Sequence, residues 1–129
     1  MMFDTAIVGG DVALPGRDPA PMTVAVAGEK IAAILSPGEA VEARQTLDAG
    51  GLTVLPGVLD VHLHLGHGKD ISRPREQRDA SQETAAAAMG GVTTFIPYLM
   101  ASEPFEQIFD DVRSVTESGA RIDFGYHFI

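Results

Sequence analysis

The sequence predicts a mixed α/β chain in which a small β-sandwich region, residues 1–55, precedes strands alternating with helices in a parallel sheet, residues 56–129. Two regions of different texture predict this. Before residue 56 the chain consists of short apolar runs punctuated by Gly and Pro, the pattern of closely spaced strands. After it, apolar runs of strand length alternate with stretches of helical period. A third observation concerns chemistry: residues 58–64 read as a buried strand that carries His62 and His64.

In the first region the predicted strands are 3–8, 11–14, 22–27, 30–35, 46–48 and 52–55. Turns are expected at Gly9-Gly10, Pro15-Gly16, Gly28-Glu29 and Pro37-Gly38, the third closing a tight hairpin. In the second region the first strand is 58–64, set off by Pro56-Gly57 and followed by a loop that Gly66 and Gly68 open. A helix fits 80–89, with Asp79 as N-cap, Gln82 in the capping-box position and Gly90-Gly91 as the stop. The second strand is 92–98. A second helix fits 104–117, because Phe105, Ile108, Phe109, Val112 and Val115 recur at helical spacing; Ser102 is its expected cap and Gly119 its end. The third strand runs from Asp123 to the end of the chain, with Phe124, Tyr126 and Phe128 on one face as an open pairing edge.

Strand side chains alternate, so Asp60, His62 and His64 are expected on one face and Leu59, Val61 and Leu63 on the other, the strand itself being fully buried. Two imidazoles two residues apart on a strand can grip one ion. With no cysteine in the chain, thiolate ligands and disulfides are excluded. Eighteen acidic against nine basic residues give a net charge of −9, which disfavours nucleic acid and anionic lipid as partners. The chain has no apolar tract long enough to span a bilayer and no secretory signal, so cytoplasm is the expected compartment.

The run Leu55-Pro56-Gly57-x-x-Asp60-x-His62-x-His64 resembles the metal-binding signature of the amidohydrolase superfamily, especially its cyclic amidohydrolase branch of hydantoinases, dihydropyrimidinases, allantoinases and dihydroorotases. Gly90-Gly91-Val92-Thr93-Thr94 resembles the opening of the second barrel strand in these enzymes, and residues 123–128 resemble their third. The resemblance implies that residues 1–55 are the N-terminal part of a β-sandwich domain with an inner face partly uncovered. It implies that residues 56–129 are the first three strands and two helices of a TIM (β/α)8 barrel. Such a barrel takes about 250 residues, and this chain of 129 stops within an apparent strand, so it is expected to be an N-terminal fragment, inactive by itself.

By the same resemblance His62 and His64 are metal ligands of a site with one or two divalent ions, zinc by default, with manganese, iron or cobalt also suited to such ligands. A carboxylated lysine, two further histidines and an aspartate would follow beyond Ile129. The implied reaction is hydrolysis of a cyclic amide or ureide C–N bond, hydantoinase- or dihydropyrimidinase-like, by attack of metal-activated water on the carbonyl. A small-molecule substrate and a homo-oligomer in the full-length form are implied as well. Asp60 is expected to orient a histidine rather than bind the ion, His67 to be solvated, and His127 to be a hydrogen-bonded core residue. Lys69, Arg73, Arg75 and Arg78 gather in the loop after the first strand; that loop forms the active-site rim, so Arg73 or Arg75 is a candidate to meet an anionic substrate group. Dihydroorotases usually place an arginine two residues after the second histidine, where this chain has Gly66, which argues against that branch. The alternatives are allantoinase or dihydroorotase activity, or a non-catalytic scaffold of the same family that acts by oligomerising.

Overall fold

The computed structural model describes residues 2–66 and 69–128, which form two compact units, 2–56 and 57–128. The first is a mixed sheet of five strands: β1 (Met2–Val12), β2 (Ala20–Ala27), β3 (Lys30–Leu35), β4 (Glu42–Asp48) and β5 (Thr53–Val54). Their order is β3-β2-β1-β4, with β5 also on β1; the hairpin strands are antiparallel, and β4 and β5 run parallel to β1. Among the described residues this unit is a single layer rather than two packed sheets. Its buried residues are small, Ala6, Val12, Val24, Ala25 and Ala49, while Met2, Ile31 and Leu47 lie exposed.

Gly9-Gly10 is not a turn. β1 runs straight through it, and between Ile7 and Gly10 it spends three steps where β2 spends two, from Val24 to Met22. This is a bulge, and Gly9 absorbs it at φ +78°, a conformation that β-carbon-bearing residues resist. Gly28 at φ +59° does open the predicted two-residue hairpin turn, and its N–H donates to Asp4 Oδ2 at 2.7 Å.

The second unit is a parallel sheet with two helices: β6 (Val58–Leu63), α1 (Gln77–Met89), β7 (Val92–Leu99), α2 (Phe105–Gly119), β8 (Asp123–Phe124) and β9 (His127–Phe128). β6 and β8 flank β7, and β9 also pairs with β7, all parallel. The predicted third strand is thus two short pieces broken at Gly125-Tyr126. Along β7 the odd residues Phe95, Pro97 and Leu99 are buried. Phe95 packs with Leu65 and Ala80, and Leu99 with Ile108 and Val112, so this face of the sheet meets both helices. Phe124, Tyr126 and Phe128 make ring contacts with one another or with Phe105 and Phe109 of α2, and of the three only Phe128 is exposed.

Both helix starts differ from expectation. α1 begins at Gln77 with Glu76 as N-cap, and Asp79 is its third residue, its carboxylate accepting from the backbone N–H of Arg75 (2.8 Å) and Glu76 (3.0 Å). The aspartate holds the N–H of the N-cap and of the residue before it from inside the first turn, the reverse half of a capping box. Ser102 does not cap α2; Pro104 holds that position, and the Ser102 hydroxyl faces Glu103. Gly91, at φ +87°, turns the chain out of α1 as expected. The helices approach closely where Gly119 lies, since a β-carbon there would strike the carbonyl oxygen of Gln77. No helix among the described residues is long and apolar enough to cross a membrane.

A histidine pair at the end of the first parallel strand

β6 delivers His62, and the residue after its end delivers His64. The strand is not fully buried: Val58, Leu59 and Val61 are 49%, 59% and 49% exposed, and among the described residues β6 has a partner, β7, on one edge alone. Strict alternation also fails. Asp60 lies opposite Phe95 and Leu63 opposite Pro97, three steps against two, so a bulge falls at Val61-His62. Leu63 still packs into the core around Leu65, Ala80 and Phe95.

The two imidazoles converge despite the bulge. Their ring centroids are 5.9 Å apart, and both meet the Tyr98 ring of β7, His62 at 4.6 Å and His64 at 6.1 Å. A ring centroid stands about 3 Å from an ion that its nitrogen binds at about 2.1 Å, so this spacing suits two rings on one ion. His64 Nδ1 is buried with no hydrogen-bond partner among the described residues. Asp60 reaches His62 through the main chain: its Oδ1 accepts the His62 backbone N–H at 3.0 Å. No group of three or more histidine and carboxylate side chains suited to a metal forms among the described residues.

The loop after the pair is braced by ion pairs. Arg73, nearly buried, donates to Asp111 of α2 at 2.9 Å and lies 3.8 Å from Glu103. Arg75 pairs with Asp70 at 3.0 Å. Lys69 and Arg78 are exposed, and His67 lies outside the described residues. His127 reaches the Tyr98 ring at 4.7 Å, and its Nδ1 is buried without the hydrogen bond expected of a core histidine. Sequence reasoning did not single out Tyr98; its place near the end of a strand beside the histidine strand was the available signal.

Asp70 also accepts from the Ser72 hydroxyl at 2.6 Å and the Ser72 backbone N–H at 3.0 Å. These bonds, with Arg75 beside them, hold its carboxyl down to about 2 from 3.8. A depressed carboxyl contributes fully above its unfolded value and loses that contribution as pH falls through the folded one. The Ser72 amide resonance is therefore expected to titrate with a midpoint near 2, and Asp70→Asn to abolish that titration; a midpoint at 3.8 or above would show that the loop bonds do not hold the carboxylate.

No protein-family model matches the chain. Over 99 residues, 74% of this chain and 20% of the relative, it is 43% identical to an allantoinase of Salmonella paratyphi B. Among solved structures it is similar to a D-hydantoinase, with TM-score 0.77 and 28% identity over 96% of this chain and 26% of that one. It is likewise similar to the L-hydantoinase (dihydropyrimidinase) from Arthrobacter aurescens, with TM-score 0.74 and 27% identity over 97% of this chain and 27% of that one. The chain spans about a fifth of the length of the curated relatives it matches.

Proposed function

The chain belongs to the cyclic amidohydrolase branch of the amidohydrolase superfamily, and from that premise we propose that it supplies two metal-ligating side chains, His62 and His64, to an enzyme that hydrolyses a C–N bond of a cyclic amide or ureide. The observation that carries this reading is the convergence of the two imidazoles, 5.9 Å apart, at the end of a parallel strand, one of them with a buried nitrogen that has no partner among the described residues. Neutral imidazole nitrogens suit zinc, and also manganese, iron or cobalt.

When bound, a divalent cation at this pair would acidify a water molecule and polarise the carbonyl under attack. The chain's own part is to aim two nitrogens at one point and to hold the adjoining loop still. Asp60 fixes the His62 backbone, and Arg73 ties the loop to α2. Both candidate arginines, Arg73 and Arg75, are engaged by carboxylates of their own unit, which favours bracing over contact with a substrate. Two ligands fall short of the three protein ligands that a catalytic zinc ion ordinarily takes. The others belong to sequence outside these 129 residues, in keeping with the fifth of a relative that the chain spans. On this reading β6 to β9, α1 and α2 begin a (β/α)8 barrel, residues 1–55 belong to a β-sandwich domain, and the chain alone is inactive.

The scaffold alternative, which dispenses with metal ligands, is disfavoured by the retained and converging histidines. The test is divalent-metal content by mass spectrometry of the protein from its complete reading frame, together with ring opening of a hydantoin, a dihydropyrimidine and allantoin. Tightly bound metal with hydrolysis of one of these rings is expected. A metal-free protein that opens none of them would overturn the hydrolase reading in favour of the scaffold.

A further inference from the structure

Three imidazoles gather on one phenol ring. Tyr98, near the C-terminal end of β7, lies with its ring centroid 4.6 Å from that of His62, 4.7 Å from that of His127 and 6.1 Å from that of His64. Its neighbours Pro97 and Leu99 are buried, while Tyr98 itself is half-buried. Its ring therefore stands between a side chain of β6 and one of β9.

A metal-binding histidine is ordinarily held in place by a hydrogen bond from its second ring nitrogen to a carboxylate or carbonyl. Here the carboxylate nearest in sequence, Asp60, is turned to the His62 main chain. The buried Nδ1 atoms of His64 and His127 have no partner among the described residues. What confines the imidazoles on this face is ring packing, in which Tyr98 touches all three. A planar ring at 4.6 Å and a tilt of 46° restricts rotation of His62 about χ2 in a way an aliphatic side chain would not.

We infer that Tyr98 is a positioning residue: wedged between His62 and His127, its ring sets the orientation of His62 and, through it, of His64, and so the affinity of the pair for a divalent cation. This rests on the proposed role of the two histidines as ligands. The contacts run through the ring, so the phenolic hydroxyl is dispensable to them.

The test uses the protein expressed from its complete reading frame, stripped with a chelator and titrated with cobalt(II), whose visible bands report ligand geometry. Affinity is read by competition with a chelating dye. Tyr98→Phe is expected to keep wild-type affinity and bands. Tyr98→Leu is expected to bind cobalt about 10- to 100-fold more weakly, the range seen when support for a metal ligand is removed, with shifted bands. Tyr98→Met, unbranched and of similar bulk, serves in its place if the leucine variant does not fold. Wild-type affinity and bands in the aliphatic variant would overturn the inference while leaving the ligand reading intact, and so would equal losses in the phenylalanine and aliphatic variants, which would transfer the role to the hydroxyl. A wild-type protein whose cobalt binding is absent, or is unchanged by His62→Ala, would instead overturn the ligand reading and this inference with it.

Discussion

Replacing His62 or His64 by alanine in the complete enzyme is expected to lower kcat/KM more than ~100-fold, because even a residue that only supports a metal ligand typically contributes 10- to 100-fold. With metal stripped from both proteins, stability should scarcely change. His62 is exposed and His64 half-buried at the end of a strand, so truncation opens no cavity in the core formed by Leu65, Ala80 and Phe95, and surface substitutions of this kind usually stay within ~0.5 kcal/mol. Loss of activity and of metal, with a urea midpoint equal to that of the wild type once both are stripped of metal, is the expected pairing. A variant that keeps its metal and retains activity within about tenfold would remove the histidines from the ligand set.

Features carried by local chemistry were legible in the sequence. The break at Pro56-Gly57, the stop at Gly90-Gly91 and the hairpin at Gly28-Glu29 each depend on a residue whose own backbone preference decides the outcome. Features decided by a distant partner were not. Gly9-Gly10 has the composition of a turn, yet β1 continues through it because β2, β4 and β5 all pair along its length. Nothing within a few residues distinguishes a glycine that reverses a chain from one that absorbs a bulge.

The same division runs through the site. The spacing of His62 and His64 placed them together, but alternation alone put them there for a partly wrong reason, since the bulge at Val61-His62 breaks the period of two. Both rings meet Tyr98, 34 residues on from His64, a neighbour that the spacing within their own strand does not announce. Arg73 and Arg75 look alike in sequence as loop cations. Only the fold shows that Arg73 is nearly buried against Asp111, 38 residues away, whereas Arg75 pairs with an aspartate of its own loop. Asp79 was read as a cap because its residue type suits that role; the chain before it supplies the N–H groups that place it within the first turn of the helix.

Gly66→Ala is expected to be among the most damaging small substitutions in the second unit. A β-carbon on Gly66 would collide with the backbone carbonyl oxygen of Asp70 and lie 2.8 Å from its carbonyl carbon. Gly66 does not have a positive φ, so the requirement is for space and not for an unusual backbone. The obstacle is main chain, which cannot rotate aside, and Asp70 is itself anchored to Ser72 and Arg75. Overpacking typically costs about 1–3 kcal/mol, and this case should fall at the upper end. At Gly57 a β-carbon would strike the Thr93 side chain and lie 2.7 Å from its β-carbon, which no rotamer change moves, so Gly57→Ala should be costly as well. The urea midpoint of Gly66→Ala in the complete protein decides this; a midpoint equal to the wild type's would mean that Asp70 is not held against the strand end. The consequence reaches the site, because Gly66 follows His64 by two residues and any outward shift of the loop moves the imidazole.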